Sequence, residues 1–400
     1  MSTVEAPGNA KRDFVVRGGG VAGALSLALG VSGSAVMIWA FRANPARAFH
    51  SYLTAYAFVL TVLLGCLAFV MIGHAANAIW PVAVRRLAEA SLVGLPLLAI
   101  LFVPVVAGAA WLYPWTRPSE YAGPVRRVLE ARRSFMSTEF FAGRAAGYLV
   151  LWAVLGWLLR RWSLAMERRG QGERFAARLR ALSYAGLPLG ALTAAFAAFE
   201  WLMSLSPEFA STMFGAYFIG MCLLSGTAWL IVLVAFADSR GRAGPIAASH
   251  YHALGRLLLA FLIFLGYLAF FQFMLCWIGN KPAEISWYLA RSRGVYAWES
   301  LFLVVGQLTL PLLALLSYRL KRQRATLAPL AAWCLASQYL HLHWLVTADS
   351  RVPGVHWLDL VALAAVGGLV FGFGLLQQRG EAAVAFADPR FAASFRYRSR

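Results

Sequence analysis

Residues 256–288 read RLLLAFLIFLGYLAFFQFMLCWIGNKPAEISWY, and this stretch decides the fold class. From Leu257 to Ile278, 22 residues pass without a formal charge. As a helix rising about 1.5 Å per residue, the run is roughly 33 Å long, enough for a hydrocarbon core of about 30 Å. Gln272, Cys276 and Asn280 stand at i, i+4 and i+8 and so share one helix face. A polar stripe is costly against lipid, so it is expected to face protein or a watery cavity. The run ends at Asn280-Lys281-Pro282, where proline cannot donate the next helix hydrogen bond.

The rest of the chain repeats this pattern. Of its 400 residues 60% are hydrophobic and only 13% charged, about half the charged share of a soluble protein. The apolar residues come in runs of about 20, too long for barrel strands, which alternate over roughly ten residues. Only helices and closed barrels satisfy the backbone inside lipid. The expected fold is therefore all-α: a polytopic membrane protein of about ten transmembrane helices.

The spans are expected at about 19–40, 50–73, 91–113, 140–160, 182–203, 210–237, 256–279, 297–318, 326–348 and 356–377. They form a membrane domain over 19–377, between a segment 1–18 and a basic tail 378–400. No convincing A-x-A cleavage site follows the first run, which reads as an uncleaved span. Counting Lys and Arg in the connections gives 23 on the side of the N-terminus and 11 on the other. Both termini are therefore expected on the cytoplasmic side. The same distribution accounts for the net charge of +19 without nucleic acid, because nearly every basic residue lies in a connection. The loop 161–181 has helical spacing with a basic face and is expected along the inner membrane surface. Trp111, Tyr113, Trp115, Trp277, Trp287, Trp298 and Trp357 fall near outer span ends, as an aromatic belt would. The pairs Gly143/Gly147, Gly186/Gly190 and Gly368/Gly372 are G-x-x-x-G and are expected to mark close helix approaches.

Polar residues inside the spans are the candidates for function, since each is expensive there. Arg144 lies one turn into span four and Glu200 one turn from the end of span five. The two should share a depth and sit near one another. Gln272, His341 and Asp359 add to the same outer half, beside Asn280, Gln338, His343, Glu139 and Glu299. The inner half holds fewer, with His74 and Arg256 as candidates for a proton entrance. Groups that exchange protons, gathered toward one face, suit a quinol head-group pocket or a proton path.

No redox centre or metal site is expected. Cys66, Cys222, Cys276 and Cys334 stand alone in separate apolar segments, without iron–sulfur or covalent-haem spacing. A b-type haem needs two facing histidines, whereas His341 and His343 are about 200° apart on one helix.

Three stretches resemble the F-type membrane subunit of alternative complex III, a bacterial quinol:cytochrome c oxidoreductase. They are Ser51-Tyr52-Leu53 through Gly65 to His74 with Trp80, Arg85-Arg86 and Glu89; Trp201 to Phe214, WLMSLSPEFASTMF; and Tyr267 through Gln272 and Trp277 to Asn280-Lys-Pro282-Ala-Glu284 and Trp287-Tyr288. The last stands where the family has an Asn-Ile-Pro-Glu-Glu form. That family is similar to the polysulfide-reductase/NrfD-type subunits, and the resemblance implies two four-helix bundles plus two further helices. It also implies a respiratory electron-transport complex in the bacterial inner membrane. There a related C-type membrane subunit oxidises quinol, while a multihaem cytochrome c and an iron–sulfur subunit carry the haems and clusters. This chain would supply a scaffold and a proton path, or contribute to a quinol site, binding no cofactor of its own. A secondary transporter, with broken midplane helices and related halves, and a purely structural anchor are the rival readings.

Overall fold

The computed structural model describes residues 19–239, 246–350, 352, 354–378 and 381–399. The segment 1–18 lies outside the described residues. Ten long helices follow one another: α1 Gly19–Ala43, α2 Pro45–Ala75, α3 Arg85–Ala107, α4 Thr138–Arg169, α5 Gly172–Trp201, α6 Phe214–Ser239, α7 Ala248–Gly279, α8 Gly294–Leu316, α9 Arg324–Thr347 and α10 Trp357–Gln377. Among the described residues, nine are long and apolar enough to cross a membrane. The tenth, α9, is long enough at 24 residues, about 36 Å. Its buried Gln338, His341 and His343 make it the least apolar, so only its neighbours make it a tolerable span. The protein is an all-α, multi-pass membrane protein.

The packing gives two four-helix bundles, α2–α5 and α6–α9, joined chiefly where α2 meets α6. Helices α1 and α10 pack on one another and against α2. In α2, 83% of the most apolar window is buried, against 22% in α1. Thus α2 is the core of the molecule and α1 a lipid-facing outer helix. Gly23 on α1 lies against Leu376 on α10, so the described chain begins and finishes at the same end of the bundle. That end is called proximal here, and the opposite end, which carries Asn44 and the 202–213 connection, distal.

Glycine sets the two closest crossings. A Cβ on Gly65 of α2 would overlap the Cys222 carbonyl on α6, and one on Gly226 would overlap Gly65. Gly368 lies so near α1 that a Cβ there would come within 2.7 Å of the Gly30 amide. The Gly368/Gly372 pair thus marks a close approach, as expected. Gly143 and Gly147 do not: their missing Cβ atoms have nothing within 4 Å. The Gly65–Gly226 crossing is not spelled by any G-x-x-x-G pair.

Several boundaries differ from the sequence reading for local reasons. The loop 161–181 is not a separate surface helix. Helix α4 continues to Arg169, Gly170 takes the left-handed conformation at φ 64°, and α5 begins at Gly172. Helix α2 starts at Pro45 behind an Asn44 cap, which brings Arg47 inside the fold. Helix α7 begins at Ala248 and ends as expected, with Asn280 left-handed at φ 46° and Pro282 opening the short helix Pro282–Arg291. Gln272 and Cys276 face inward, while Asn280 caps the helix and is exposed.

Helix α8 contains a π-helical turn, Leu303–Thr309. Pro311, one turn further on, has no N–H to continue the regular ladder, and the amide of Leu310 reaches Val305 instead of Gly306. The freed carbonyl of Gly306 accepts a 2.8 Å hydrogen bond from the indole of Trp333.

The tail is part of the fold. Residues Ala382–Ala385 are buried, and the Ser394 hydroxyl donates to the carbonyl of Trp80 and accepts from the amide of Ala83. His250 adds a 3.0 Å contact to the Ser394 carbonyl. The segment closes the proximal end. At the distal end Trp111, Trp277, Trp298 and Trp357 are exposed as a belt requires, whereas Tyr113, Trp115 and Trp287 are core residues.

Candidate functional site

Buried charge lies at both ends of the bundle, which corrects the expectation of a single outer-half concentration. The distal groups fall into three separate places. In the first bundle, Nε of Arg144 donates to Glu200 at 2.7 Å, the pairing expected from their depths. Tyr148 donates to the same oxygen at 3.1 Å, and the guanidinium also sits over the rings of Phe135 and Phe140. Glu200 is 1% exposed, and its Oε2 has no hydrogen-bond partner among the described residues.

The second place is Asp359, on the first turn of α10. It accepts from Ser51 at 2.5 Å, from Arg47 at 2.8 Å and from the amide of His356 at 2.7 Å. The last bond is half of a capping box, in which His356 accepts from the amide of Leu358. Arg47 also donates to the carbonyls of Val352 and Gly354. His343 stands between two carboxylates, with Nδ1 3.2 Å from Glu299 and Nε2 3.7 Å from Asp359. Glu299 and His343 were read from sequence beside the outer-half candidates; Arg47 was not. Arg47 had been placed in a connection, and its proximity to residues more than 300 positions away has no local signature.

The third place is the second bundle. His341 Nε2 is hydrogen-bonded to the hydroxyl of Tyr217. One turn back along α9, Gln338 bonds to Gln307 and donates to the Met221 carbonyl and the Ser225 hydroxyl at 3.3 Å each. Ser225 in turn accepts from Thr61 on α2. Gln272 is buried nearby on α7, with its Oε1 unpartnered among the described residues. The large cavity of this bundle, about 660 Å³, is lined by His341 and by none of the other six candidates. The seven sequence candidates therefore do not share one pocket.

The proximal end holds a denser network. Arg85 donates to Glu89 and to Asp388 of the C-terminal segment, both at 2.8 Å. Arg86 bonds to Glu89 and to Glu167 at the end of α4. Arg160 reaches Glu381 at 2.7 Å, and Arg390 holds Asp388 on both oxygens. Burial alone would raise the Asp388 carboxyl. The hydrogen bonds from Arg390 and the charge of Arg85 outweigh it and hold the group well below the usual carboxylate range. His74 is fully buried near this network, and neither ring nitrogen has a hydrogen-bond partner among the described residues. Arg256 is exposed on α7. Arg85 and Arg86 read from sequence as a loop pair; the Arg-Arg-x-x-Glu spacing, which puts Glu89 one turn away, was the signal that they form a buried cluster.

Between the two ends lies a sparse polar series. Trp229, one turn from Ser225 on α6, donates to Ser91 at 3.1 Å, and Ser91 ends the short helix that begins with Arg85. Fold and site together define a polytopic α-helical membrane protein with ionisable groups buried at both ends. Neither a protein-family model nor a curated protein sequence matches this chain.

Proposed function

We propose that this chain is an integral subunit of a quinol-oxidising respiratory complex of the alternative complex III type, acting as a scaffold that also carries protons. The observation that supports it most is the buried polar series. It consists of separate hydrogen-bonded pieces, Tyr217–His341, Gln338 and Thr61 on Ser225, and Trp229–Ser91, each about one helical turn from the next and placed between the distal groups and the proximal network. Buried hydroxyls and amides at hydrogen-bonding distance cost stability in a membrane interior and have value where protons must pass. In this reading the distal end, with fewer arginines in its connections, faces outward, and both termini are cytoplasmic in a bacterial inner membrane. Removing the buried Arg47 and Arg291 from one side and Arg85 and Arg86 from the other leaves that bias intact. Electron transfer, haems and iron–sulfur clusters belong to partner subunits, and a C-type membrane subunit is the main quinol site.

The transporter reading draws less support. It calls for interrupted helices in corresponding positions of two halves. Here the irregular helices are α3, second in its bundle, and α8, third in its own. The deciding experiment is purification of the tagged chain from native membranes in mild detergent, followed by a visible-light spectrum. Co-purifying multihaem cytochrome and quinol:cytochrome c activity are expected. Recovery of the chain alone, together with solute uptake in liposomes, would overturn the proposal.

A further inference from the structure

The cavity of about 660 Å³ in the second bundle has a use that the proton series does not explain. It lies between α7, the helix Pro282–Arg291, the π-turn of α8, and α9, and its size falls in the usual range for small-molecule sites. It opens sideways from the bundle. Phe270, Trp277 and Val304 line it and are 62%, 72% and 59% exposed, so its mouth lies on the surface that meets lipid. The π-turn, whose Leu303, Val304, Gln307 and Leu308 form one wall, shapes the opening.

The polar atoms on its inner side define what it can hold. Gln307 is engaged by Gln338, and Ser300 donates to the Arg291 carbonyl while accepting from Trp344. Arg291 is paired with Asp349 at 2.9 Å, donates to the carbonyls of Trp287 and Leu345, and stacks 3.6 Å from the Trp287 ring centre. Two buried atoms on lining residues have no hydrogen-bond partner among the described residues: Nε of Arg291, on a residue 1% exposed, and Nδ1 of His341, on one 4% exposed. With the Tyr217 hydroxyl donating to His341 Nε2, Nδ1 carries the imidazole hydrogen; in the other tautomer Nδ1 accepts. Arg291 Nε can only donate, and His341 Nδ1 donates in the tautomer that accepts from Tyr217. A fitting ligand brings acceptor oxygens to this depth and is apolar where it lies along the cavity. The positive charge is already balanced by Asp349, so no net negative charge is demanded.

We infer that this cavity binds one glycerolipid drawn sideways from the bilayer, its ester oxygens accepting from His341 and Arg291 and an acyl chain lying between α7 and the π-turn. The site stands independently of the respiratory reading and holds equally for a transporter or an anchor. Its depth suits the ligand: His341 lies six residues, about 9 Å, before the distal end of α9, close beneath the level of lipid esters.

The test uses the full chain, purified with whatever subunits accompany it, delipidated, and incubated with deuterium-labelled phosphatidylethanolamine before native mass spectrometry. The wild type is expected to retain one labelled lipid through a detergent wash. Ala269→Phe, which fills the wall, and Val304→Trp, which narrows the exposed mouth without touching the core, should each lose it. His341→Phe should bind about tenfold more weakly, the effect of one buried hydrogen bond. No retained lipid in the wild type, full retention in Val304→Trp, or displacement of the label by an equimolar prenylated benzoquinone would overturn the assignment.

Discussion

The two ends of the bundle hold buried charge in different ways. At the proximal end Glu89, Asp388 and Glu167 are each met by an arginine, Glu89 and Asp388 by two. Guanidinium groups do not give up their protons, so such a network binds its members permanently. At the distal end Asp359, Glu200 and Asp349 also meet arginines, but imidazoles stand among them: His343 lies between Glu299 and Asp359, His341 on Tyr217, and Glu200 keeps one oxygen unpartnered among the described residues. The proximal end is bound chiefly by arginine–carboxylate pairs, and the distal end sets imidazoles beside such pairs.

Removing Glu89 should have the largest effect. Glu89→Leu leaves Arg85 and Arg86 short of a buried counter-charge, for a loss of about 3–5 kcal/mol. Thermal denaturation in detergent and yield of assembled protein would read it. A variant as stable as the wild type would deny the proximal end its structural role. Asp359→Asn is the distal counterpart. Arg47 keeps the carbonyls of Val352 and Gly354, so the expected loss is smaller, about 2–3 kcal/mol, by the same assay.

Glu200→Gln separates stability from exchange. It preserves shape, and the Tyr148 bond survives, so stability should change by about 1 kcal/mol. Proton release by the assembled complex should slow about tenfold or more if Glu200 serves as an acid–base group. Unchanged release would remove it from the path and make Arg144–Glu200 a plain ion pair.

The smallest effect concerns pH at the proximal seal. Because the Asp388 carboxyl is held below its ordinary value, it stabilises docking above the unfolded-state pKa of about 3.9. That contribution is lost only as pH falls through the lower folded-state value. Hydrogen exchange in residues 381–399 should therefore be flat from pH 7 to about 4, after correction for intrinsic rates, and rise below. Asp388→Asn should raise it at neutral pH and abolish the acid step. Release near pH 6 in the wild type would contradict the arginine-held picture.

Particular residues show what could be read in advance. The Arg144–Glu200 contact was legible because two opposite charges one turn inside neighbouring antiparallel helices have few other partners. The stop at Asn280-Lys281-Pro282 followed from proline's missing donor. Arg47 and Arg291 were not legible as buried. An arginine near a span end reads as a headgroup anchor until the chain returns another residue to meet it, here Asp359 and Asp349. The glycine pairs teach the same limit. A G-x-x-x-G spacing records that a face is small; Gly143/Gly147 has nothing opposite, while Gly65 meets Gly226 from the other bundle.

By itself the sequence determined that the chain is a bundle of about ten membrane helices, because the length and apolarity of each run answer to bilayer thickness, a property of one segment at a time. Which buried groups meet was decided by tertiary structure alone. The crossing of α2 with α6, the C-terminal segment folded against Arg85, and the cavity beside the π-turn all depend on distances between residues far apart in the chain. Hydrogen bonds and ion pairs act over a few ångströms, and only the packed helices bring their partners that close.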